Sequence, residues 1–457
     1  MQQNTTAAPP APAAAATPAP PAQPPPRRRR GRTAGAAAAL ALGAALFAVG
    51  AVVLTPDGAA PAGPQAPAAA PGSLGGLQAR VTRLPKDAGG WAALGMAYVQ
   101  QGRTTADPGT YARAEQALRT SLAVQRADNT DAEIGMGALA AARHDFPTAL
   151  DWALKATAGD PYSATAHGVL ADAYTQSGRY DEAEAAVQTM TDLRPDAASL
   201  ARASYAYELR GDTAGARDLM RRSLTAAATP GESAFARTVL ASLALQDGDG
   251  RGALAEAQSG LRAAPRDPAL LEARARAHEA LGEPDPALAD YQAAAAVAPL
   301  PHLLLGLGEL HQALGHPQEA EAQYTLLRAQ DRIRATGTTP ADTDAILFEA
   351  DHGNPERAVT LAEEALRTRP FIAVQDAFAW ALHRAGRDTE ALEQADRALS
   401  LGTRNALYHY HRAAIHDALG HPRQARDDLA AALRQPGFHP LHAPAARALL
   451  QRIDTTG

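Results

Sequence analysis

Fourteen histidines and no cysteine set the limits on what chemistry this 457-residue chain offers. Six of the histidines crowd the C-terminal end: His409, His411, His416, His421, His439 and His442. Imidazole is the commonest metal ligand, so their spacing is the first test. On a helix, His409 and His411 stand about 200° apart and cannot close on one ion. His409 and His416 do share a face, but no thiolate is present to complete a tetrahedral set. A metal-binding or enzymatic role for this His-rich end is therefore a rival reading, and no cofactor is expected. Catalytic signatures are equally missing. There is no G-x-S-x-G, no H-E-x-x-H and no glycine-rich phosphate loop. Carboxylate clusters such as Asp181, Glu182 and Glu184 read as the solvated face of a helix. The chain reads as a non-enzyme.

What remains is a pattern of glycine and alanine. The stretch "GRYDEAEAAV" begins at Gly178 and has relatives at Gly211, Gly248, Gly282, Gly315, Gly353, Gly386 and Gly420, 33 to 38 residues apart. Each glycine is followed five residues later by an alanine: Ala183, Ala216, Ala253, Ala287, Ala320, Ala358, Ala391 and Ala425. Prolines keep the same step, as from Pro161 to Pro195 and from Pro265 to Pro299. A glycine can take the left-handed conformation that ends one helix. A small alanine lets the next helix come close, opposite a small residue on the first: Gly95, Gly137, Ala171, Ala241, Ala275, Gly308 or Ala413. A proline then closes the unit. In the second unit "RHDFPTAL" has no glycine, and Asp145 is expected to make the turn.

This period resembles the tetratricopeptide repeat, a helix-turn-helix unit. Residues 164–196 match best, with Leu170, Tyr174, Gly178, Tyr180, Ala183 and Pro195 in place. Trp91, Leu94, Gly95 and Tyr98 match the start of the motif. The resemblance implies an all-α, right-handed α-solenoid of about ten repeats over residues 88–440, with residues 441–457 as a capping helix and tail. In that family the first helices line a concave groove that binds peptides. Carried onto this sequence, the inward residues would include Tyr205, Glu208, Phe235, Glu272 and Arg276. Further along they would be Glu279, Glu309, Asp351, Asp376, Trp380, Arg384, Tyr410 and Asp417. Such a face suits an unknown peptide or protein with apolar anchors and some positive charge.

The first 87 residues are of another kind. Residues 1–33 form a Pro/Ala-rich tail, expected to be disordered, that ends in the arginine block 27–32. Residues 34–54 carry no charge and are long enough to cross a bilayer. Their eight Leu, Phe and Val residues supply about −2 to −5 kcal/mol of insertion. The expectation is a single-pass transmembrane helix with the N-terminus cytoplasmic and the repeats extracytoplasmic. Residues 55–87 would be a Pro/Ala-rich linker. The rival is a secreted binder released by cleavage near Ala62. Beyond residue 72 acidic groups outnumber basic ones by ten, so the body is not expected to bind nucleic acid. The function expected is that of a membrane-anchored protein-binding scaffold.

Overall fold

The computed structural model describes residues 72–105, 108–335 and 340–456, and every regular element among them is a helix. Helix α1 is Leu74–Arg83. Five helix pairs follow: α2 Ala88–Thr105 with α3 Pro108–Val124, α4 Thr130–Ala142 with α5 Phe146–Gly159, α6 Ala164–Gln176 with α7 Tyr180–Leu193, α8 Ala197–Leu209 with α9 Thr213–Ala226, and α10 Pro230–Gln246 with α11 Gly250–Ala263. Five more complete the array: α12 Pro268–Leu281 with α13 Pro284–Val297, α14 Pro301–Ala313 with α15 Pro317–Arg334, α16 Thr343–His352 with α17 Pro355–Thr368, α18 Ile372–Arg384 with α19 Asp388–Ala398, and α20 Ala406–Ala418 with α21 Pro422–Ala432. Helix α22, His442–Thr456, ends the chain.

One local device makes each pair. Gly178, Gly211, Gly248, Gly282, Gly315, Gly386 and Gly420 all take a φ of +70° to +77°. The residue after each glycine then donates its N–H to a carbonyl five positions back, as Arg179 does to Tyr174 and Glu283 to His278, both at 2.9 Å. That bond satisfies a carbonyl the helix end leaves bare. The alanine five residues on is buried in every case, at most 5% exposed. Its partner must be small as well: a Cβ on Gly308 would lie 2.5 Å from the ring of Tyr324. Proline marks helix starts as well as ends. Pro230, Pro268, Pro301 and Pro355 sit in the first turn of their helices, where the missing N–H has no carbonyl to meet.

Three features depart from the sequence reading. In the second repeat it is His144, at φ +59°, that takes the left-handed place. Asp145 is needed elsewhere: its carboxylate accepts from the Thr148 N–H at 3.2 Å and caps α5. Gly353 has a φ of −134° and ends α16 without the left-handed turn. Within the expected linker, Leu74, Leu77 and Val81 recur on one face and build α1 against α2. Ser73 caps α1, and Arg80 pairs with Asp87 at 2.7 Å.

The expected membrane anchor is corrected. Residues 34–54, the tail 1–33 and the linker up to residue 71 lie outside the described residues. No helix among the described residues is long and apolar enough to cross a membrane. Even the longest, α2 and α15 at 18 residues each, interleave polar and charged side chains with apolar ones. Nothing described supports a membrane partner through 34–54, a cytoplasmic N-terminus or an extracytoplasmic array, and these readings are set aside.

Neighbouring first helices touch one another, as α2 does α4, α16 does α18 and α18 does α20, whereas neighbouring second helices do not approach comparably. The first helices therefore line the inside of the curve. The array curls until repeats far apart in sequence meet. The Tyr180 hydroxyl accepts from the Ile372 N–H at 2.9 Å. Arg404 donates to the Thr213 hydroxyl at 3.0 Å and lies 3.2 Å from Asp247. Between these polar contacts Leu209, Phe371, Ile372 and Ala373 form an apolar cluster with Tyr205 and Tyr408 at its edge. The turns of the third, fourth and fifth repeats thus rest on the joints that follow the eighth, ninth and tenth.

Candidate functional site: the first-helix face of the C-terminal repeats

Between the end of α21 and the start of α22 the chain runs without a helix, from Leu433 to Leu441. Shorter joins suffice elsewhere, such as the three residues Arg194 to Asp196. The sequence explains the break: Pro436 and Pro440 cannot continue a helix, and Gly437 sits at φ +64°. The segment, together with the His442 that opens α22, lies on the first helices of the sixth to tenth repeats. A Cβ on Gly437 would fall 3.0 Å from the carbonyl oxygen of Glu279 on α12. His439 Nε2 is 3.1 Å from a carboxylate oxygen of Glu309 on α14. His442 Nε2 is 3.4 Å from Asp351 on α16. Its ring stacks on Tyr410 of α20 at 4.9 Å between centroids and meets the edge of Trp380 of α18 at 5.4 Å. Phe438 packs near the Tyr410 ring, at 6.0 Å.

The face is acidic and internally paired. Glu309 is buried and also accepts from His352 at 3.0 Å. Burial pushes its carboxyl up, but the charge of His439 and the bonds from both histidines outweigh that and hold it far below the usual range. His439 responds in kind: burial opposes its charge, the Glu309 carboxylate favours it, and its pKa rises. His442 goes the other way, down to about 4, because burial and the neighbouring His439 both oppose a second charge. Glu272 pairs with Arg276 at 2.7 Å and with His302 at 3.4 Å. Burial raises Glu272, yet Arg276 and His302 outweigh it and bring it to about 2. Glu279 accepts from the Tyr291 hydroxyl at 3.0 Å. Burial dominates there and lifts it to about 7, and its Oε1 is buried with no hydrogen-bond partner. Arg276, with 55% of its side chain exposed, is open to solvent on this face.

The residues proposed from sequence divide into groups. Glu272, Arg276, Glu279, Glu309, Asp351, Trp380 and Tyr410 share this face. The Trp380 indole donates to both Asp351 oxygens at 3.0 Å. Arg384 lies at its rim, donating to the Ala350 carbonyl at 3.2 Å. Tyr205 and Glu208 belong to the seam between distant repeats, where Glu208 accepts from Gln246 at 2.5 Å. Phe235 is buried between helices with Met220 and Leu240. Asp376 is buried under Trp380, 3.0 Å from His411. Asp417 pairs with Arg452 of α22 at 2.6 Å. Sequence reasoning missed His302, His352, His439 and His442 as members of the site. The only signal was the Pro- and Gly-bearing run "RQPGFHPLH" beyond the last Gly–Ala pair.

The metal reading is corrected too. Among the described residues no group of three or more His, Asp or Glu could hold an ion. Four of the six C-terminal histidines are engaged with carboxylates instead, among them His409 with Asp428 at 2.8 Å and His411 with Asp376, while His416 and His421 face each other at 3.3 Å.

The family comparison agrees with a helical repeat in part of the chain. The tetratricopeptide repeat family model matches residues 140–206. A tetratricopeptide repeat protein from Parabacteroides merdae is 19% identical over 56% of this chain and 98% of its own, with a TM-score of 0.33. The pilF protein of Pseudomonas aeruginosa is 20% identical over 49% of this chain and 97% of its own, with a TM-score of 0.37. Likenesses of that size carry nothing about curvature or partners. No curated protein matches the chain.

Proposed function

We propose that this protein is a protein-binding scaffold whose first-helix face takes an extended peptide segment. One observation carries the reading. Five successive first helices each bring one residue to a single stretch, made of non-helical residues up to Leu441 and the His442 that opens α22: Glu279 through its backbone carbonyl, Glu309, Asp351, Trp380 and Tyr410. That is how a helical repeat array reads an extended chain, one or two side chains per repeat. The balance of carboxylates and aromatic rings favours segments with basic or imidazole groups beside an aromatic residue.

Panning a random peptide library against the full chain tests this. The enriched peptides should carry Lys, Arg or His next to Phe, Tyr or Trp. Arg276→Glu, on the exposed part of the face, should change the enriched set. A library that enriches nothing, or the same peptides for both proteins, would end the reading.

A further inference from the structure

The chain carries its own occupant for this face. We propose that residues 433–442, the non-helical run and the His442 that opens α22, act as an intramolecular pseudo-ligand, holding the face closed until a segment of the same chemistry displaces them. The inference rests on the scaffold reading and adds what regulates it.

The segment behaves as a bound peptide would. It has no helix before His442, and it reaches Glu279 of the sixth repeat and Glu309 of the seventh although α22 itself packs on α20 and α21 of the tenth. Its contacts are imidazole to carboxylate and ring to ring. A joint that served only to cover the array would be better built from apolar side chains. Desolvating Glu309 and Asp351 against histidines recovers little net stability compared with apolar packing of equal volume. The face also retains an unused acceptor, the buried Oε1 of Glu279, which nothing in the segment reaches. A competitor with one more donor than the resident stretch would satisfy it. Burial and His439 leave His442 uncharged near neutrality, so a ligand with two fixed cations would meet the acidic face better than the resident does.

Tethering sets the terms of the exchange. A covalently linked segment competes at an effective concentration in the millimolar range. A free peptide therefore binds in proportion to the fraction of molecules whose face is open. Gly437 is the point at which to shift that fraction. It has a positive φ and no space for a Cβ, 3.0 Å from the Glu279 carbonyl oxygen and 3.1 Å from Ala280 Cα. Gly437→Ala should dislodge the stretch while every residue of the receiving face stays in place.

The probe is a fluorescein-labelled synthetic peptide with the sequence of residues 433–443, titrated by anisotropy into the full chain. Gly437→Ala should bind it at least tenfold more tightly than the unmodified protein, and adding Glu309→Gln to that variant should remove at least tenfold of the affinity. His439→Gln with His442→Gln provides a second route to an open face, should Gly437→Ala lose its helical circular dichroism. Equal affinity for the closed and opened proteins would overturn the proposal, as would no binding to a folded opened variant. If panned peptides bind while the self-peptide does not exchange, only the pseudo-ligand falls. If no peptide of either kind binds, the scaffold reading falls with it.

Discussion

The turn glycines of the third to fifth repeats and those of the sixth, seventh, ninth and tenth share one sequence signature and one φ, yet they sit in different surroundings. A Cβ on Gly282, Gly315, Gly386 or Gly420 would meet nothing within 4 Å. On Gly178 it would stand 2.8 Å from the Pro370 carbonyl oxygen, and on Gly248 2.8 Å from that of Arg434. On Gly211 it would run into the Gly402 carbonyl. The later glycines only end a helix. Those of the third to fifth repeats end a helix and also leave room for a distant stretch of backbone. A motif read along the chain reports the first task and is silent about the second.

Substitutions can break this contrast. Gly211→Ala should be the most damaging, by about 2–4 kcal/mol, since left-handed strain adds to a backbone collision. Urea unfolding should show the loss as a lower midpoint. Tyr180→Phe tests the same seam without touching a glycine. It leaves the Ile372 N–H without its acceptor, for a loss of about 1–3 kcal/mol. Hydrogen exchange at Ile372 should speed up while exchange at the Glu283 amide, remote from the seam, stays unchanged.

A carboxylate on the inner face sharpens the comparison from the other side. Glu279 titrates near 7 in the folded protein against about 4.3 unfolded, so the folded state binds more protons between those values. Stability should fall as pH rises through that window, and Glu279→Gln should remove the fall. The gain above pH 7 should be about 1–2 kcal/mol, allowing for the solvent that reaches the group, with none below pH 4. Thermal melts at the two pH values read the difference. The smallest effect is expected for Gly315→Ala, about 1 kcal/mol from φ alone. A loss at Gly315 equal to that at Gly211 would erase the distinction between the two groups.

The repeats are legible in the sequence because each depends on residues within one period. Gly282 and Ala287 determine their own turn and helix contact whatever lies beyond. His144 was harder to foresee, because Asp145 is the commoner turn residue but is also the better helix cap. Helix α1 was hidden by the glycines at 75 and 76 and by Pro85, which resemble linker. The seam from Tyr180 to Ile372 was not legible at all. It depends on small rotations summed over several repeats, and no single repeat encodes that sum. The site was legible by half: the carboxylates and rings of the first helices follow from their register, whereas the histidines that meet them come from a stretch with no period.

Because each early turn is matched to one particular late joint, the number of units between them is fixed. Insertion of a further 34-residue unit anywhere between Gly248 and Pro370 would move Arg404 one position along and present Thr213 and Asp247 with a different neighbour. Open arrays can grow or shrink by duplication with little penalty, but here a gain or loss in that interval would mismatch every cross-contact at once.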